Sequence, residues 1–232
     1  DNPPELNLFN ILGNLDSCIR QFTYENFSNG HWKDTSAIIQ IEPEGDYAAI
    51  GIRNSFGLAV DPQTGYLWDT ENGPDVYDEI NLVENKFNSG WAKIQGPSNG
   101  KTIPQVPGYE NYHYSEPEFS WELPVGVTAI EFPNSIDFKK YKDFLFVADA
   151  NNGIIYKFKL DDTRTKFIFQ SPHLQDNILN ISQNSDDGSL TESRDEIVFA
   201  KNLGLISDMK FGPDGALYVI SLMEGKIYKI SS

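Results

Sequence analysis

The chain has one cysteine, Cys18, in 232 residues. That excludes an internal disulfide and any cysteine-rich zinc site, and a lone thiol of this kind is by default buried and free. Positive charge is also scarce: 18 Lys and Arg stand against 34 Asp and Glu, a formal net charge of −16. A field of that sign repels phosphate backbones and anionic bilayers, so no nucleic acid partner is expected. No apolar run approaches the ~20 residues that span a bilayer. Asp1-Asn2-Pro3-Pro4 lacks the basic and apolar parts of a secretion signal, so no membrane insertion is expected and the chain reads as already processed. The long runs of Ala, Leu, Glu and Lys that announce helices are missing as well.

What is present favours strands. Hydrophobic residues make up 39% and aromatics 13%, enough for a buried core, and 13 Pro and 18 Gly without a low-complexity tract imply many short connections. The fold class that follows is all-β. The acidic balance either keeps the chain soluble or concentrates divalent cations, and only ligand geometry separates the two. Asn26-Phe27-Ser28 and Asn180-Ile181-Ser182 fit the glycosylation sequon, which matters only in an exported protein.

Three segments share one grammar: Asp61-Pro-Gln-Thr-Gly-Tyr-Leu-Trp68, Lys142-Asp-Phe-Leu-Phe-Val147 and Gly212-Pro-Asp-Gly-Ala-Leu-Tyr-Val219. Each is a tight turn feeding an aromatic or β-branched strand. The second and third continue alike, as Asn152-Gly-Ile-Ile-Tyr-Lys157 and Glu224-Gly-Lys-Ile-Tyr-Lys229, a Gly turn reversing into another alternating strand. Recurring hairpins of this order mark propeller blades, although a β-sandwich also alternates strands with Gly and Pro turns. The Pro-, Gly- and Tyr-rich stretch 96–114 and the polar stretch 171–194 read as long loops, the second poorly ordered. Residues 1–35 carry no readable pattern and stay unassigned, beside a single domain over 1–232.

The most informative run is Gly51-Ile-Arg-Asn-Ser-Phe-Gly57, then Asp61-Pro-Gln-Thr-Gly65, Trp68 and Glu71-Asn-Gly-Pro74, followed by Asp78-Glu-Ile-Asn-Leu82 and Asn88-Ser-Gly-Trp91. This order resembles the glucose/sorbosone dehydrogenase-like family of soluble PQQ-dependent aldose dehydrogenases. The likeness continues through Glu118-Phe-Ser-Trp121, Pro124-Val-Gly-Val-Thr128 and the terminal Pro213-Asp-Gly215 hairpin. The resemblance implies a six-bladed β-propeller of the quinoprotein glucose dehydrogenase type, incomplete here, with about four blades accounted for. The earlier blades are then expected on a missing segment or another chain, with a truncated or processed product favoured. It also implies an extracellular or periplasmic place of action.

The same resemblance implies a cofactor site at Arg53, Asn54, Asn72, Gly73 and Pro74, with calcium bridging PQQ to the carbonyls of Gly73 and Pro74. A planar guanidinium suits a quinone bearing several carboxylates. On residue type alone, Arg53-Asn54 reads as a structural pair between loops, and Gly73-Pro74 as a simple turn. Asp78 and Glu79 are adjacent on an alternating strand, so their side chains point to opposite faces and cannot form one dyad. By resemblance, Glu79 faces a second, structural calcium with carbonyls near Ser89 and Gln95 and the carboxylate of Glu118, an oxygen-rich set that suits a hard cation. Glu79 as a loop cap without metal is the alternative.

The departures are as informative. His31, His113 and His173 do not match the family's catalytic histidine in order or context, so no catalytic base is assigned. Asn151 stands where the family places a lysine on the cofactor, and Leu205 and Ser207 stand where arginines are common. Three functions follow: sugar oxidation with PQQ and calcium; a non-enzymatic calcium-stabilised propeller binding a glycan or protein; or a calcium-dependent hydrolase using Asp149, Asn151 and Asp208.

Overall fold

The computed structural model describes residues 47–231 except 104, 107 and 181–193, together with the backbone of 27–28 and 31–32. The chain forms two compact units, 1–47 with 105–110, and 48–104 with 111–232. Within the first, β1 (Phe27–Ser28) pairs antiparallel with β2 (His31–Trp32), and the rings of Tyr47 and Tyr109 lie 6.5 Å apart. Cys18, both sequons in part, and most of the unassigned segment 1–35 lie outside the described residues. Of the polar stretch 171–194, residues 171–180 and 194 are described.

The second unit is built from three successive meanders. In the first blade, β4 (Ser55–Val60), β5 (Leu67–Glu71), β6 (Asp78–Val83) and β9 (Phe119–Trp121) pair antiparallel in that order, and β13 (Ile178–Leu179) adds a parallel edge beside β9. The second blade runs β10 (Val127–Glu131), β11 (Phe144–Asp149), β12 (Ile155–Lys159) and β14 (Val198–Ala200); the third runs β15 (Ile206–Phe211), β16 (Leu217–Ser221) and β17 (Lys226–Ile230). A small parallel sheet of β3 (Ala49–Ile50), β7 (Phe87–Asn88) and β8 (His113–Tyr114) carries the long connection after the first blade's third strand. The innermost strand β10 touches β4 on one side and β15 on the other. This is the blade order of a β-propeller; the described residues form three blades where about four were expected, an incomplete ring.

Turn chemistry explains the hairpins. The Asp61 carboxylate accepts from the Gln63 N–H at 2.9 Å and the Thr64 hydroxyl at 3.0 Å, and Gly65 closes the turn at φ 77°. Arg164 donates to the same carboxylate from Nε at 2.5 Å and a second guanidinium nitrogen at 3.0 Å, both side chains buried, which fastens the first blade's turn to the second blade. The sequence repeat is also a structural repeat. Phe146↔Lys157 and Ala148↔Ile155 in the second blade correspond to Tyr218↔Lys229 and Ile220↔Ile227 in the third.

Two apolar cores lie between blades. The first joins Trp68, Ile80, Phe119 and Trp121 to Val127, Tyr156 and Phe158, with Phe119 and Phe158 centroids 4.8 Å apart. The second joins Phe146, Ala148 and Ile155 to Ile206, Met209, Leu217 and Val219. Each such buried side chain contributes about 1.5–3 kcal/mol of transfer free energy. No helix among the described residues is long and apolar enough to cross a membrane.

Candidate functional site

Antiparallel pairing places the residues before β4 beside those after β5, so two distant sequence elements meet at one end of the first blade. The Asn72 N–H donates to the Asn54 carbonyl at 3.0 Å, and the Arg53 guanidinium donates to the Asn72 carbonyl at 2.7 Å. Arg53 also stacks over the Trp91 ring, 5.2 Å from its centroid, and its N–H reaches the Glu71 carboxylate at 2.6 Å. The Asn72 side chain donates to the Val127 carbonyl at 2.7 Å, tying this end to the second blade. A Cβ on Gly73 would lie 2.0 Å from the Val76 carbonyl oxygen and 2.2 Å from that of Tyr77, so the curl of the loop demands glycine. Arg53, Asn54, Asn72, Gly73 and Pro74 are thus brought together, with Asn54 and Pro74 exposed.

Asp78 and Glu79 serve opposite faces. Asp78 accepts from the N–H groups of Val125 at 2.8 Å, Gly126 at 2.6 Å and Val127 at 3.3 Å, and from Gly73 N–H at 3.0 Å. It is a hub that fixes the Gly73 turn against the loop entering the second blade. Glu79 instead accepts from the Gly96 N–H, from the Gln95 amide at 3.1 Å and from Asn81 at 3.3 Å.

Around Glu79 the strand register assembles carboxylates that sequence reading missed. Glu79 lies opposite Glu71 and Asn81 opposite Asp69, and Asp69, Glu71 and Glu79 are all buried. Ser89 donates to Glu71 at 2.7 Å, and Glu118 accepts from the Leu82 N–H at 2.5 Å. Burial, then the charge of Glu71, pushes Asp69 up to about 7 and Glu79 up to about 8; burial raises Glu71 and Glu118 too. Two oxygens in this pocket, Asp69 Oδ1 and Gln95 Oε1, are buried without a hydrogen-bond partner. Among the described residues no three His, Cys, Asp or Glu side chains close into a cage by themselves. A hard cation here therefore needs amide and backbone oxygens beside the carboxylates, and the two orphaned oxygens fit one. The alternating acidic residues at 69 and 71, facing Glu79 across the sheet, were the available signal.

The remaining polar residues are occupied elsewhere. His113 pairs with Glu84 at 3.1 Å on the surface, and His173 sits in the short 3-10 turn Pro172–Leu174. The His31 side chain lies outside the described residues. Asp149 accepts from the backbone of Asn152 and from the Tyr156 hydroxyl at 2.8 Å, while Asp208 accepts from the Met209 N–H. Asn151 leans on the Pro124 carbonyl at 3.4 Å.

Comparison with known proteins bears on the family and the fold. The glucose/sorbosone dehydrogenase family model matches residues 43–229. An aldose sugar dehydrogenase, YliI, of Escherichia coli is 27% identical over 184 residues, covering 78% of this chain and 42% of that protein. Two solved glucose dehydrogenase structures, each 24% identical, overlay with TM-scores of 0.55 and 0.54 on 78% of this chain and 46% and 45% of theirs, a likeness of fold. The chain spans under half the length of each. With four-fifths of its residues inside the family model, the chain belongs to the glucose/sorbosone dehydrogenase family.

Proposed function

We propose that the protein oxidises an aldose sugar at its anomeric carbon with PQQ and calcium, and that residues 53–54 and 72–74 hold that cofactor. The observation that carries this reading is the convergence of Arg53 and Asn54 on Asn72, Gly73 and Pro74 at one blade end. When bound, the quinone supplies the hydride acceptor. Arg53, already aimed by the Asn72 carbonyl and the Trp91 ring, offers a fixed cation to a carboxylate; Asn54 offers an amide; Gly73 and Pro74 offer carbonyls to calcium. Glu79, Ser89, Gln95 and Glu118, joined by Asp69 and Glu71, hold a second calcium that steadies the same blade. Asp78 binds no ligand in this scheme and keeps the Gly73 turn in register. The proton of the sugar hydroxyl goes to a base outside the residues assigned here.

Isothermal titration of PQQ into the chain with calcium, followed by aldose-dependent dye reduction on the same sample, tests the reading. Saturable binding is expected, weakened about 10- to 100-fold in Arg53→Ala. Absence of binding to a folded sample means either that the early blades are needed for it or that the second reading holds, a calcium-stabilised propeller that binds a glycan or protein partner. Asn151, Leu205 and Ser207, neutral where the family carries cations, are what speak for it.

A further inference from the structure

We infer that Asp78 is a positioning residue for Arg53, and that it acts through the peptide group between Asn72 and Gly73. The Asp78 carboxylate is fully buried, and its two oxygens are divided between two blades. Oδ2 accepts from the N–H groups of Val125, Gly126 and Val127, at 2.8, 2.6 and 3.3 Å, and so holds the entry to the second blade. Oδ1 accepts from the Gly73 N–H at 3.0 Å. That N–H shares one planar group with the Asn72 carbonyl, and a trans peptide points the two in opposite directions. On the far side the same carbonyl accepts from Arg53 Nη1 at 2.7 Å. A single peptide group therefore stands between a buried carboxylate and a guanidinium, its donor on the first and its acceptor on the second.

The rest of the turn leaves the orientation of this plane to Asp78. Asn72 is pinned on its other sides, its N–H on the Asn54 carbonyl at 3.0 Å and its side-chain amide on the Val127 carbonyl at 2.7 Å. Gly73 is demanded by the curl, yet a residue without a side chain accepts either orientation of the peptide before it. With the plane turned over, the Asn72 carbonyl would face the carboxylate and the Gly73 N–H would face the guanidinium, like against like at both ends. The carboxylate selects the orientation seen, and by polarising the N–H it strengthens the carbonyl as an acceptor. Arg53 depends on that carbonyl for direction. Its guanidinium also lies 5.2 Å from the centroid of the Trp91 ring, but a ring face fixes the distance of a cation and not the way its fork points.

Asp78→Asn separates the two duties of the residue. The remaining carbonyl oxygen satisfies the three donors of the second blade, which turns the new NH2 onto the Gly73 N–H, donor against donor. The junction is kept and the peptide plane is released.

The inference rests on the proposed cofactor role of Arg53 in one arm of its test and is free of it in the other. Urea unfolding of the wild-type chain, Arg53→Ala, Asp78→Asn and the double variant, with no cofactor present, measures the coupling between the two residues. Removing Arg53 should shift the unfolding equilibrium about fivefold in the wild-type chain and less than about twofold beside Asp78→Asn, where the carbonyl is no longer presented. Titration of PQQ with calcium into the same four proteins should show Asp78→Asn weakening binding at least about fivefold, with no more than about twofold added where Arg53→Ala is already present. Effects that multiply in either measurement make Asp78 a structural clasp with no hold on Arg53, and overturn the inference. A wild-type chain that binds no PQQ bears on the cofactor assignment and the early blades, and the urea cycle then decides alone whether Asp78 aims Arg53. Where Asp78→Asn does not fold, amide exchange at Gly73 in Arg53→Ala takes its place. The rate should rise at least about threefold with the peptide held from one side only, and an unchanged rate overturns the inference.

Discussion

The second strands of the first and third blades, Leu67-Trp-Asp-Thr-Glu71 and Leu217-Tyr-Val-Ile-Ser221, occupy the same place in their meanders and differ most at one position. Val219 is fully buried in an apolar core, while its counterpart Asp69, just as deep, faces Glu71, Glu79 and Asn81. The third blade follows the alternation rule of an apolar inward face. The first breaks it with carboxylates whose protons burial retains toward neutral pH, Asp69 to about 7 and Glu79 to about 8. A charged group this deep persists only with a partner, and the proposed second calcium is the partner this cluster would take.

The largest effect should come from moving the feature to the wrong blade. Val219→Asp puts a carboxylate where Ile206, Met209 and Phe146 offer no donor, and a loss of more than about 4 kcal/mol is expected at pH 8. Urea unfolding measures it; a loss below about 1 kcal/mol would mean the third blade tolerates charge as the first does.

Next comes the ion pair that joins the blades. Arg164→Ala leaves Asp61 buried and unpaired, at a cost of about 3–5 kcal/mol. In the native protein, burial alone would raise Asp61, but Arg164, the Gln63 N–H and the Thr64 hydroxyl outweigh it and hold the carboxyl below its usual 3.8. Its contribution is therefore present above pH 3.8 and lost as pH falls through the lower folded value. In the variant only the Gln63 N–H and the Thr64 hydroxyl still oppose burial, so the loss of stability on acidification should shrink. Parallel acid limbs in the two proteins would remove the pair as their cause.

The hairpins were legible because their turns demand particular residues: Asp61 to Gly65, Gly153 and Gly225 punctuate strands whose alternation then fixes the register. The hairpin repeat pointed to blades, and the grouping of Arg53-Asn54 with Asn72-Gly73-Pro74 was implied by the family resemblance that their motifs carry. The carboxylate pocket was not, because nothing in the order of residues along one strand brings Asp69 and Glu71 to other carboxylates. Only cross-strand register puts them opposite Asn81 and Glu79, and only the Ser89–Gly96 connection seals them from water.

The pocket itself is sharpened by Glu79→Ala. If calcium is bound there, excess calcium stabilises the native chain by about 2.7 kcal/mol at a hundredfold over Kd, and the variant should gain almost none of it. In chelator the same change removes one of several crowded carboxylates, so its cost should shrink or reverse. Equal loss in both conditions would leave Glu79 as a loop cap on Gly96 and nothing more.

The smallest effect on stability, and the finest test of the first blade's special role, belongs to Arg53→Ala. Its guanidinium holds one carbonyl, that of Asn72, and stacks on Trp91, contacts worth about 1 kcal/mol together at a half-exposed position. If Arg53 serves an anionic cofactor, the variant should bind PQQ about 10- to 100-fold more weakly, since a charge-assisted contact contributes roughly 1.5–3 kcal/mol, while its thermal midpoint barely moves. Lysine at 53 keeps the charge but not the fork or the stacking plane, so it should recover only part of the affinity. A midpoint that drops by many degrees with affinity unchanged would instead make Arg53 a brace between β4 and β5, and would return the whole blade end to structural duty.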